Sequence, residues 1–282
     1  MREPMHPAIN HLVQLQELTW IRKEKELLSH LNQREPIDEM INVMTLTMPA
    51  EIRPNLERLV KLNNIIVTPV SGGACSACGI KLSSSLAQAV RAAKTINVCP
   101  NCTRILYCTE SSLRNTSIYR GRIGTTKSGI SRFSCKNLML PKLKSTNKNA
   151  AICEMADNLA KQGFVDNPAK LAELAIQREC IASTWVENGL AFPHVRGIEG
   201  GGITLSMGLS AKGIDFDGPD QTVANIITFV LIPTAASRFY LELLASVIRT
   251  FSSLETRKAI MKQHTVEGMW ETLLSLTSNT IK

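Results

Sequence analysis

Two stretches of this 282-residue chain carry residue types at spacings that could do chemistry. The first is Cys75-Ser-Ala-Cys78, followed after twenty residues by Cys99-Pro-Asn-Cys102. A C-x2-C knuckle sends two thiolates to the same side of a tight turn, and two knuckles at this separation can converge on one tetrahedral ion. Four soft sulfurs suit zinc, and four protein ligands leave no coordination position open, so the expected metal is one structural zinc. Gly79 suits the sharp turn after the first knuckle, and Thr103 takes the matching place after the second. A redox C-x2-C pair is the competing reading, and the lack of a surrounding βαβ pattern argues against it. Cys108 reads as a spare buried thiol.

The second stretch is 187–197, ENGLAFPHVRG, which holds the sole histidine between His30 and His264. His194 follows a short apolar run and Pro193, whose ring fixes φ and removes a backbone donor. Gly197 and the run Gly200-Gly201-Gly202 make a loop of little side-chain bulk, suited to a docking partner's close approach. Arg178, Ser183 and Thr184 precede the run and can fold back as donors to an anion. A neutral imidazole, with an ordinary pKa of about 6.5, is a nucleophile near neutral pH. Phosphoryl transfer asks a protein mainly for alignment and charge stabilisation. Arg178 offers a planar cationic fork and Thr184 a hydroxyl donor to an anionic group held beside His194. A purely structural histidine is the alternative.

The rest of the chain must position these groups. Hydrophobic residues make up 44% of it, enough for a sizeable core and against wholesale disorder. The opening MREPMHPAIN has no apolar signal segment, and VANIITFVLIPTAA is too short to span a bilayer. The expectation is a cytoplasmic protein without membrane insertion, whose eight cysteines are thiols or metal ligands rather than disulfides. The net charge of +8 is local: basic against acidic residues number twelve to nine in 1–108, nine to one in 109–148, and eleven to fourteen in 149–282. The basic stretch, rich in Ser, Thr, Gly and Arg, reads as an exposed linker, either a solubilising tether or a tracker of nucleic-acid phosphates.

Helical periodicity covers 8–33, with Leu12, Leu15, Leu18, Leu28 and Leu31 on one stripe, before Pro36 breaks it. A second helix is signalled by Ile52, Leu56 and Leu59. The two helices fit a hairpin within one chain or a pairing between two, so a homo-oligomer stays open. NIIVTPV reads as a strand leading into the knuckles. After the linker, AAICEMADNLAKQG is a helix with Ile152, Met155 and Leu159 inward, and Asn167-Pro168 opens the next. Short strands follow at LAF, ITLSMGL and ANIITFVLI, then helices at SRFYLELLASVIRTF and ETRKAIMKQ, and a last one capped by Thr265. Helices alternating with strands predict a layered α/β domain.

Two resemblances sharpen this. The helices, strand and paired knuckles of residues 8–108 resemble the bacterial coiled-coil zinc-ribbon proteins that are held to bind nucleic acid. The string RECIASTWVENGLAFPH, with KGIDFDGPD, the strand ending at Pro233 and LELLASVIRTF, resembles the IIA domains of the bacterial phosphotransferase system. The type is fructose/mannitol, with nitrogen-regulatory-like members, and the likeness covers about 136–282. It implies a mixed sheet flanked by helices, phosphorylation of His194 by a histidine phosphocarrier protein, and attack by the imidazole nitrogen remote from the backbone. It also implies a IIB domain or a regulatory target as onward partner. That family usually carries a second histidine where this chain has Tyr240, which can donate a hydrogen bond but, with an ordinary pKa of about 10, is neutral at pH 7.

The expected organisation is multidomain: a short helical hairpin and zinc ribbon at 1–108, a basic linker at 109–135, and a IIA-like domain at 136–282. The expected function is a phosphohistidine carrier in a regulatory role. The alternative is a nucleic-acid- or protein-binding module whose IIA-like domain does no chemistry. The candidate site residues are His194, Arg178, Thr184 and Tyr240, with Cys75, Cys78, Cys99 and Cys102 on the metal.

Overall fold

A computed structural model describes residues 7–27, 34–50, 52–62, 65–108 and 128–281. The chain divides into two compact units, Met1–Ser112 and Leu113–Lys282. The basic segment 109–127 lies outside the described residues, as do Leu28 and Leu31. No helix among the described residues is long and apolar enough to cross a membrane.

The first unit opens with α1 (Pro7–Leu27), α2 (Arg34–Leu46) and α3 (Arg53–Leu62). Leu12, Leu15, Leu18 and Ile21 of α1 are buried, as their helical spacing requires. No sequence signal announces α2, because Pro36 reads as a breaker. It stands instead in the first turn of α2, where a missing N–H leaves no helical bond unmade. Helices α1 and α2 pack together, with Arg22 Nη1 3.3 Å from Asp38 Oδ1. A four-stranded sheet follows in the order β2–β1–β4–β3, from β1 (Val67–Ser71), β2 (Ala74–Cys75), β3 (Asn97–Val98) and β4 (Ile105–Tyr107). Between the knuckles lies α4 (Ser84–Ala92), capped by the Ser83 hydroxyl on Leu86 N. Gln16 of α1 accepts from the backbone N–H groups of Ile66 and Val67, at 2.6 and 3.0 Å, which ties the helices to this sheet.

The second unit is the expected α/β domain. Its sheet runs β5–β9–β10–β7–β6, with β8 also on β10. The strands are β5 (Met139–Leu140), β6 (Trp185–Val186), β7 (Leu190–Ala191), β8 (His194–Arg196), β9 (Thr204–Asp215) and β10 (Val223–Ile232). The sheet is mixed: β10 is antiparallel to β9 and parallel to β7 and β8. Strand β10 is apolar almost throughout because both of its faces are covered. Helices α5 (Lys148–Lys161) and α6 (Pro168–Ile181) pack on each other, and on β9 and β8 respectively. Ile152, Met155 and Leu159 of α5 are fully buried. Helices α7 (Ser237–Phe251), α8 (Leu254–Met261) and α9 (Val266–Thr277) close the domain. Residues 128–135, at the end of the basic stretch, belong to this unit: Ile130 and Phe133 are buried, and Ser134 Oγ donates to Leu205 O at 2.7 Å.

The sequence signals at helix ends have the expected geometry. Asn167 Oδ1 accepts from Lys170 N at 2.9 Å with Pro168 at the first helical position, and Thr265 Oγ1 accepts from Gly268 N. Asn167→Ala should therefore lower the stability of the domain by about 1 kcal/mol, read as a lower urea midpoint at unchanged slope. Asn167→Asp, which keeps the acceptor, should leave the midpoint near wild type.

Candidate functional site

In the first unit the two knuckles are built alike. Gly79 N donates to Cys75 O at 2.7 Å and Thr103 N to Cys99 O at 2.9 Å. Cys75 N donates to Ile80 O, and Cys99 N to Arg104 O, at 3.0 and 2.8 Å. Each turn needs a left-handed residue after its second cysteine: Gly79 has φ +77° and Thr103 φ +59°. For a β-branched threonine that is a strained conformation. Helix α3 holds it: Asn55 Nδ2 donates to Thr103 O at 3.1 Å, and Arg58 donates to both the Thr103 hydroxyl and Asn55 Oδ1. No spacing in the sequence announces this clamp, which joins residues nearly fifty positions apart.

The four sulfurs converge. Cys75 Sγ is 3.7 Å from Cys102 Sγ, Cys78 Sγ is 3.7 Å from Cys99 Sγ, and all four lie within 4.8 Å of one another. A tetrahedron with Zn–S bonds of ~2.3 Å has edges of ~3.8 Å, so the donor set fits zinc. Burial pushes the Cys75 thiol up to about 12. Burial also acts upward on Cys78, but hydrogen bonds from the Ile80 backbone and the Asn101 side chain prevail and bring it down to about 6. Four thiolates within 4.8 Å of one another would repel strongly, and a bound cation would offset that repulsion. Held by four cysteines, the ion supplies cross-linking rather than reaction chemistry. Leu82, Val90 and Leu106 form the small core around Cys75 and Cys99, with Leu86 and Cys108 packed against it.

In the second unit β7 and β8 are one strand interrupted at Phe192-Pro193. Ala191 pairs with Ile227 and His194 with Val230, so the register on β10 is unchanged across the break. Pro193 lacks the N–H that would continue the ladder, yet its carbonyl accepts from Val230 N at 3.0 Å. The hairpin before it turns through Asn188 and Gly189, both at positive φ. His194 is 2% exposed. Its Nδ1 lies 2.9 Å from Phe192 O, and because a carbonyl only accepts, Nδ1 carries the proton and Nε2 the lone pair. The Tyr240 hydroxyl lies 3.4 Å from that same Nδ1, and the two rings are 5.2 Å apart at 44°. Tyr240 thus acts on the backbone-side nitrogen.

Helix α6 delivers Arg178 and Glu179 at its last turn, both buried. Arg178 Nη1 donates to Ala182 O at 2.8 Å, satisfying a carbonyl at the helix C-terminus. Glu179 accepts from Thr184 N at 2.8 Å and from Thr184 Oγ1 at 2.7 Å. The one proton of the Thr184 hydroxyl is therefore directed at Glu179. Burial raises the Glu179 carboxyl above its ordinary range, against the Thr184 hydrogen bonds and the charges of Arg178 and His194. Thr184 thus bonds to a buried carboxylate on which Arg178 and His194 also act electrostatically, a grouping that no spacing in the sequence announces. Ser183 is turned elsewhere, to Phe216 O and Trp185 N. The glycine-rich loop after β8 is anchored: Ile198 N donates to Ile232 O at 3.2 Å, and Glu199 accepts from Thr234 N at 2.9 Å.

Comparison with known proteins yields two family matches. Residues 133–275 match the phosphoenolpyruvate-dependent sugar phosphotransferase system, EIIA 2, and residues 74–106 match the C4-type zinc ribbon domain. The fructose-specific EIIA component of the phosphotransferase system from Haloferax volcanii is 26% identical over 126 residues, 45% of this chain and 82% of that protein. The nitrogen regulatory protein of Pseudomonas aeruginosa is 24% identical over 131 residues, 46% of this chain and 84% of its own. Among solved structures, nitrogen regulatory protein IIA-Ntr from Neisseria meningitidis is 23% identical, with a TM-score of 0.46 over 50% of this chain and 96% of that one.

Two measurements test the site. Wild type should carry about one zinc per chain by metal analysis, and Cys99→Ser far less, with protease cuts appearing within 74–106 first. For Glu179 the sign follows from its raised pKa: the stability it lends is complete below the ordinary value of 4.5 and is lost as pH rises through the folded value. The stability difference between wild type and Glu179→Gln should therefore shrink as pH is raised from 4.5 toward neutrality. A difference that is flat with pH would contradict a raised Glu179.

Proposed function

The chain belongs, through its C-terminal domain, to the EIIA 2 family of the phosphoenolpyruvate-dependent sugar phosphotransferase system, and on that footing we propose that His194 is its phosphoryl acceptor. The donor is the phosphohistidine of the system's small histidine phosphocarrier. The observation that carries this reading is the bond between His194 Nδ1 and Phe192 O, which reserves the lone pair for Nε2. In the transfer, the Nε2 pair attacks phosphorus in line, and the N–P bond to the donor imidazole breaks with its electron pair returning to that ring. The acceptor ring, still holding its Nδ1 proton, becomes cationic while the donor ring becomes neutral. The Phe192 carbonyl and the Glu179 carboxylate both favour that developing charge. Arg178 supplies the planar cation for the phosphoryl oxygens. Thr184 acts through Glu179, and Tyr240 acts on the imidazole.

The role of this carrier is regulatory. Relatives include nitrogen regulatory proteins, and the domain shares its chain with a zinc ribbon and a basic segment. A phosphoryl group adds about two negative charges, enough to alter how a target or a IIB domain docks on the loop after His194.

The test is reconstitution with phosphoenolpyruvate, the general first enzyme and the histidine phosphocarrier, read by intact mass. Wild type should gain one acid-labile phosphoryl group and His194→Ala none. No label on wild type, while a control IIA domain is labelled under the same conditions, would overturn the reading and leave a binding module of the ribbon type.

A further inference from the structure

The transferred group is a dianion whose charge spreads over its oxygens, so its acceptor site needs cations on more than one side. Position 240, at the first turn of α7, is where the resemblance places a second histidine, and here it is a neutral phenol. A cation nonetheless stands at this ring. The guanidinium carbon of Arg196 lies 5.1 Å from the centroid of Tyr240, within cation–π range. Arg196 is half-buried and two residues beyond His194 on β8, so the two side chains leave the same face of the strand. Both are set by one ladder, His194 opposite Val230 and Arg196 opposite Ile232, which fixes their separation. The Tyr240 ring touches both: its centroid is 5.2 Å from the imidazole, and its hydroxyl 3.4 Å from Nδ1.

We propose that Arg196 is a phosphoryl-binding residue, delivering from β8 the second positive charge that Tyr240 does not deliver from α7. This rests on His194 being the acceptor. Tyr240 becomes the platform that orients the guanidinium while its hydroxyl meets the imidazole, and Arg178 acts from α6. Among the described residues, Glu179 and, through it, Arg178 act electrostatically near His194, Tyr240 lies against both side chains, and Glu199, three residues beyond Arg196, accepts from Thr234 N. A guanidinium stays charged at every accessible pH, whereas an imidazole loses its charge near neutrality. The exchange of a histidine at 240 for an arginine at 196 therefore changes how the second cation responds to pH.

The experiment measures initial rates of transfer from the phosphorylated histidine phosphocarrier to the full chain. Arg196→Gln should lower kcat by about 10- to 100-fold with KM for the phosphocarrier little changed, and Arg196→Lys should recover part of the loss. Arg196→Gln combined with Tyr240→His should regain rate at about pH 6 and lose it again by about pH 8. Arg196→Gln within about twofold of wild type overturns the proposal. So does a loss confined to KM, which marks a docking residue, or a double variant that recovers at neither pH, which marks a packing role. An unlabelled wild type removes the acceptor reading itself, so the two failures are told apart.

Discussion

The hydrogen-bonding edge of β10 is the constraint on which the proposed phosphoryl site depends. One strand, buried on both faces, holds β7 and β8 in a single register, and the interruption between them falls at Phe192-Pro193. Because the register does not slip, the side chain at 194 keeps its face of the sheet while the carbonyl at 192 is left out of the ladder. That carbonyl is what the imidazole finds. Pro193 costs the ladder only the bond its N–H would have made, and the Phe192 carbonyl, turned away from β10, is what fixes the imidazole tautomer.

Around this edge the domain carries an electrostatic cost. Glu179 is buried with a carboxyl displaced upward, Arg178 is buried beside it, and His194 is nearly inaccessible. Burying charge in this way is a poor route to stability, and a hydrophobic set of similar volume would serve the core as well or better. The arrangement suits preorganisation: donors and charges are already fixed, so little reorganisation would be left for the proposed transfer. Arg178 also answers a purely structural need, since its bond to Ala182 O closes the end of α6.

The zinc ribbon solves a different problem. Its core is small, and three of the four strands in its sheet, β2, β3 and β4, are only two or three residues long, too short to hold themselves together. Two identical turns, each with a left-handed residue, bring the four thiols to the edge length of a zinc tetrahedron. Where the second turn uses threonine instead of glycine, α3 supplies two side chains to hold it, so the helix is part of the metal site without contributing a ligand.

The knuckles, the helix caps at Asn167 and Thr265, the apolar strands, and the grouping of Arg178, Thr184 and His194 in one segment are all legible in the chain's order of residues. These are local: a cap, a C-x2-C spacing or an alternation is decided by neighbours within a few residues. Helix α2 escaped because Pro36 has opposite meanings inside a helix and in its first turn, and only the packing on α1 selects between them. The remaining contacts come from the folding of distant segments onto one another. Which side of the imidazole meets Tyr240, that the Thr184 proton points at Glu179, that Arg196 stacks on the tyrosine, and that Asn55 and Arg58 restrain Thr103 all depend on contacts between elements distant in the chain. Such contacts leave no periodicity or spacing behind, because a side chain's partner across a sheet or helix interface is set by register and packing rather than by its own neighbours.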